Sequence, residues 1–69
     1  MSILTTLQWQ DSCSPGTTQW CEVQAPDGRH LRIMKQALGG YRVTIFGADK
    51  RLAVPEAEMS AEEVAALLA

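Results

Sequence analysis

The sequence predicts an α+β domain: an antiparallel β-meander of four to five strands, open or curled into a small barrel, with one C-terminal α-helix packed on one face. Three observations predict it. Apolar and β-forming residues alternate with polar ones through most of the chain. Two short turn clusters, Pro26-Asp27-Gly28 and Leu38-Gly39-Gly40, separate such runs. After Met59 the apolar spacing changes to three and four, the helical period.

Each element has a local reason. Ile3, Thr5, Leu7 and Trp9 alternate with Leu4, Thr6 and Gln8, which predicts a first strand over residues 2–10. The turn-rich run from Asp11 to Gly16 is a loop. Thr17 to Ala25 is the second strand. In Pro26-Asp27-Gly28 the proline presets φ and the glycine accepts the left-handed conformation, as in a three-residue hairpin loop with a bulge. Arg29 to Ala37 is the third strand, Leu38-Gly39-Gly40 a second three-residue loop, and Tyr41 to Phe46 the fourth strand. Gly47 to Lys50 turns the chain into a short fifth strand, Arg51 to Val54, which Pro55 ends. Ser60-Ala61-Glu62-Glu63 fits a capping box, with Met59 and Val64 placed for a hydrophobic staple. The stripe Ala61, Val64, Ala65 and Leu68, with Leu67 beside it, then faces the sheet.

The two hairpin loops imply a register. Across the first, Val23 opposes Leu31, Cys21 opposes Ile33, Glu22 opposes Arg32 and Trp20 opposes Met34. Across the second, Ala37 opposes Tyr41, Lys35 opposes Val43 and Ile33 opposes Ile45. One face then collects Cys21, Val23, Ala25, Leu31, Ile33, Tyr41, Val43 and Ile45, a core face for the helix to cover. Moving either loop by one residue is expected to mix polar and apolar groups on both faces, so the clean segregation supports this register. The opposite face is amphipathic: Trp20, Met34 and Phe46 are ringed by His30, Arg32 and Arg42, with Glu22 on the same face. Two explanations compete. In the first, which is preferred, the sheet closes into a barrel and the apolar trio joins Leu4, Leu7 or Trp9 in one core. In the second, the trio is an open anchor for another protein, since aromatic, Met and Arg side chains dominate interface hot spots.

Length and charge bound the function. The 69 residues suffice for a single domain, residues 1–69, with a small core. No apolar run is long enough to span a bilayer, and the first seven residues lack the basic and apolar regions of a secretory signal. The expected setting is the cytoplasm, with Cys13 and Cys21 as free thiols. The net charge is −2, unevenly spread: all six bases and one acid fall between residues 29 and 51, a local balance of +5, and the remainder carries −7.

Candidate chemistry is sparse. Cys13, Cys21 and His30, with Asp11 or Asp27, lack the tight Cys pairs of zinc sites, so no metal or other cofactor is expected. His30 has no nucleophile-elbow sequence near it, Gly39-Gly40 lacks the Lys and Ser/Thr of a phosphate loop, and the carboxylates are scattered. The chain therefore reads as a non-enzyme. The expected function is a non-catalytic protein-binding module, a small inhibitor or adaptor of the kind that phages or mobile elements encode against host machinery, acting in the host cytoplasm if so encoded. Its expected contact residues are Trp20, Glu22, His30, Arg32, Met34, Arg42 and Phe46. A small barrel binding RNA or single-stranded nucleic acid is the first alternative, drawn from the +5 window and its aromatics. A structural or assembly subunit that self-associates, for instance as a homodimer, is the second.

Overall fold

A computed structural model describes residues 3–69. The chain forms a 3-10 helix, Ile3–Thr6, then strands β1 (Gln10–Asp11), β2 (Thr17–Gln24), β3 (His30–Gln36), β4 (Tyr41–Phe46) and β5 (Leu52–Met59), and helix α1 (Ala61–Leu68). The sheet is an antiparallel meander in the order β1-β2-β3-β4-β5. It is not closed into a barrel, because β1 and β5 are its two edges.

One face of the sheet holds the core. Cys21, Ala25, Leu31, Ile33, Val43 and Ile45 are buried there beneath Leu4 of the 3-10 helix and Val64 and Leu68 of α1. Leu7, Trp9, Val23, Tyr41, Met59 and Leu67 pack around them. These are the core-face residues expected from the strand period. The helical stripe differs at one end, since Ala61 is exposed while Ala65 is half-buried.

The first strand is corrected. Four of the residues expected to be extended, Ile3–Thr6, form a 3-10 turn, Leu7 to Trp9 lie outside any strand, and of the described part of that segment only its end, Gln10–Asp11, pairs with β2; residue 2 lies outside the described residues. Leu4 and Leu7 are three apart, so one tight helical turn points both at the core while Ile3 stays 40% exposed. The Trp9 indole N–H donates to the Leu4 carbonyl at 2.8 Å, and its ring tilts against Tyr41 with centroids 6.0 Å apart. The apolar segment from Ile3 to Trp9 thus lies on the same face as α1. It does not curl across the other face, and Trp20, Met34 and Phe46 do not join its core.

The β2–β3 register is as expected, with Trp20 opposite Met34, Glu22 opposite Arg32 and Cys21 opposite Ile33. The β3–β4 register is corrected: Lys35 pairs with Tyr41, Ile33 with Val43 and Leu31 with Ile45. The loop is Ala37-Leu38-Gly39, closed by Gln36 and Gly40, and its left-handed third residue is Gly39, φ 102°. Moving a three-residue loop by one position shifts the pairing by two. Every side chain therefore keeps its face, and face segregation does not distinguish the two registers.

Three hairpins share one construction. In the pairs Ala25/Arg29, Gln36/Gly40 and Gly47/Arg51 the first residue donates to the last across a three-residue loop, and the third loop residue donates back to the first. Those third residues are Gly28, Gly39 and Lys50, all at positive φ. In the outer two, an aspartate caps the turn: Asp27 Oδ1 accepts from the Arg29 N–H and Asp49 Oδ1 from the Arg51 N–H, each at 3.0 Å.

The fifth strand is also corrected, since Pro55 does not end it. β5 runs through Pro55 to Met59. Three residues of β5 span Ala57 to Val54 where β4 spans two from Val43 to Ile45, and a second step lies beside Phe46. A bulge on an edge strand accommodates a residue with no N–H to donate. Ser60 then caps α1: its Oγ accepts from the Glu63 N–H at 3.2 Å, and Glu63 Oε1 accepts from the Ser60 N–H at 3.1 Å.

Candidate protein-binding face

The face of the sheet away from α1 presents three rows of side chains across β2, β3 and β4. Cross-strand pairing sets the rows as Trp20, Met34 and Arg42; Glu22, Arg32 and Thr44; and Gln24, His30 and Phe46. All seven expected contact residues therefore lie on one surface. Trp20, His30, Met34, Arg42 and Phe46 are half-buried by their neighbours in the sheet, and Glu22 and Arg32 are exposed. In the middle row Glu22 and Arg32 remain exposed.

Two shallow depressions meet at that row. One, about 310 Å³, is lined by Ser12, Cys13, Ser14, Trp20, Glu22, Arg32 and Met34. The other, about 280 Å³, is lined by Glu22, His30, Arg32, Phe46 and Lys50. Glu22 and Arg32 form the ridge between them. The Arg32 guanidinium carbon stands 5.9 Å from the centre of the Phe46 ring, within cation–π range. Among the described residues neither Arg32 nor Glu22 makes an ion pair, although they are direct cross-strand partners.

The other arginines are engaged within the chain. Arg42 meets Glu56 at 3.3 Å and Glu58 at 3.5 Å, and the Gln36 amide oxygen, turned toward it, accepts from its Nε at 3.0 Å. It is drawn toward β5 and away from the centre of the face. Arg29 pairs with Asp27 at 2.6 Å and Arg51 with Asp49 at 3.8 Å. The backbone N–H of Arg29, and secondarily its guanidinium, hold the Asp27 carboxyl below the usual range.

Ser12, Cys13, Ser14 and Lys50 are parts of this surface that strand alternation does not reveal. The first three reach it because the β1–β2 loop folds back beside Trp20, and its Pro15-Gly16 turn closes with the Thr17 N–H donating to the Ser14 carbonyl at 3.3 Å. Lys50 arrives from the β4–β5 hairpin next to Phe46. Loop residues have no periodic signal, so only the folded path of the chain brings them here.

Cys13 is exposed and Cys21 is buried in the core, both as free thiols, and burial raises the Cys21 pKa. Cys21 faces the core while His30 lies on the opposite face, so the sheet separates them. No cluster of three or more His, Cys, Asp or Glu residues placed to hold a metal ion occurs among the described residues. No helix among them is long and apolar enough to cross a membrane. Comparison with protein-family models, curated proteins and solved structures gives no match for this chain.

Proposed function

We propose that the chain is a non-catalytic protein-binding module, a small inhibitor or adaptor that docks through the open face of its sheet. One observation carries the reading: Trp20, Met34 and Phe46 surround Arg32 and Glu22, which are exposed and make no ion pair among the described residues, on the face opposite α1. A sheet facing only water usually carries polar groups at such positions. Interfaces instead combine aromatic, Met and Arg anchors with a polar rim. The proposed setting is the cytoplasm, where both thiols stay reduced.

The ion pairs weigh against the nucleic-acid reading. Arg29, Arg42 and Arg51 of the basic window are each matched by a carboxylate, which leaves few cations to displace counterions from phosphate. Quantitative capture tests the proposal. Immobilised chain is compared with W20A/M34A and R32A on the face and with L38A at a hairpin tip. Loss of bound protein with the face variants, and retention with L38A, is expected. Equal capture by all of these, with each variant folded, overturns the reading.

A further inference from the structure

We propose that the open face takes a second copy of this chain, forming a two-fold sandwich built on reciprocal Glu22–Arg32 pairs. The proposal rests on the reading of this face as a protein-docking surface and names its occupant.

The charge pattern of the face is complementary to itself. Glu22 and Arg32 stand at the same height on adjacent antiparallel strands. Both are exposed, and neither has an ion-pair partner among the described residues, whereas Arg29 and Arg51 each have one and Arg42 has two. A two-fold axis along the strand direction, between two facing sheets and midway between β2 and β3, lays each β2 over the β3 of the second copy. Residues at equal height then meet. Glu22 lies over the second copy's Arg32, Trp20 over its Met34, and Gln24 over its His30, and each contact occurs twice, as a two-fold interface requires. The apolar pair and the ionic pair are both satisfied by one operation.

Geometry favours the face over the edge. Facing sheets pack about 10 Å apart, a gap filled by side chains such as Trp, Met and Phe from both copies. Edge pairing through β5 is opposed by Pro55 and two register breaks. A standard interface takes about 800 Å² from each partner, roughly a sixth of this chain's 4654 Å² surface. Self-association is also a common supplement to a core as small as this one.

Sedimentation equilibrium of the full chain between about 1 μM and 1 mM tests the proposal. A monomer–dimer equilibrium is expected within that range. E22R and R32E, each of which sets like charges face to face, are expected to weaken the dimer about tenfold or more. The double variant E22R/R32E restores it, and an equimolar mixture of the two single variants forms a heterodimer tighter than either homodimer. The milder E22Q and R32Q weaken it in the same direction, which keeps the test readable if a charge reversal fails to fold. A wild-type monomer throughout the range overturns the proposal. So does a dimer indifferent to both reversals, or a mixture with no heterodimer preference. A monomer whose protein capture still depends on Trp20 and Met34 sinks the self-pairing alone. A dimer that responds to charge reversal, while capture ignores the face variants, sinks the heterologous docking alone.

Discussion

Ile33 and Val43 pair across β3 and β4 with no exposed surface, in the same buried cluster as Val64 of α1. Truncating a fully packed side chain removes its transfer free energy and leaves a cavity. Ile33→Ala is therefore expected to cost about 2–5 kcal/mol in urea denaturation, a large part of the stability of a domain this small. Lys50 is the other residue under local constraint. Its φ of 67° lies in the left-handed region that Gly28 and Gly39 occupy in the two sister hairpins. Lys50→Gly relieves about 1 kcal/mol of steric cost and gives part of it back in unfolded-chain entropy. A small rise in melting temperature is the expected outcome. The sequence marked 47–50 as a turn from Gly47 and Asp49, yet not Lys50 as its left-handed residue, because nothing in a lysine signals that conformation.

Asp27 and Ser60 act at the level of the element. The folded-state Asp27 pKa is depressed below 3.8, so its contribution is present above the unfolded value and is lost as pH falls through the folded one. Thermal melts between about pH 5 and pH 2 are expected to show a shallower acid loss in Asp27→Asn than in the wild type. At the last element, Ser60→Ala removes the acceptor for the Glu63 N–H and is expected to cost about 0.5–2 kcal/mol by chemical denaturation. The capping box and the α1 start were legible because they are local chemistry over four residues. The length of β5 was not: Pro55 reads as a strand terminator, and only the bulged edge it occupies makes it compatible with continued pairing.

Across the whole molecule, one-sided burial is the governing feature. The 3-10 helix and α1 both lie on the same side of the sheet, and among the described residues no helix lies on the opposite, amphipathic side. Removing Trp20 and Met34 together is thus expected to change folding stability less than Ile33→Ala does, while abolishing most protein capture; parallel denaturation and binding measurements separate the two. Arg42→Ala is expected to cost less than about 1 kcal/mol, since Arg42, Glu56 and Glu58 are all substantially exposed. The seven residues of the candidate face were readable from strand alternation, which assigns a side of the sheet without needing the correct β3–β4 pairing. Their openness was not readable, because it depends on where the N-terminal segment goes.

By itself the sequence determined the meander, the membership of both sheet faces and the capped helix. Each of these follows from interactions within a few residues: alternation along a strand, a glycine in a loop, a serine three residues before a glutamate. Tertiary structure decided the rest. Gly39 and Gly40 could each serve as the left-handed loop residue, so two registers preserve the same faces, and the folded chain adopts the one that places Gly39 third in the loop. The spacing of Leu4, Leu7 and Trp9 suits either a strand or a tight turn. Burial beside α1 selects the turn, and that choice keeps Leu4, Leu7 and Trp9 away from Trp20, Met34, Phe46, Glu22 and Arg32 on the far side of the sheet.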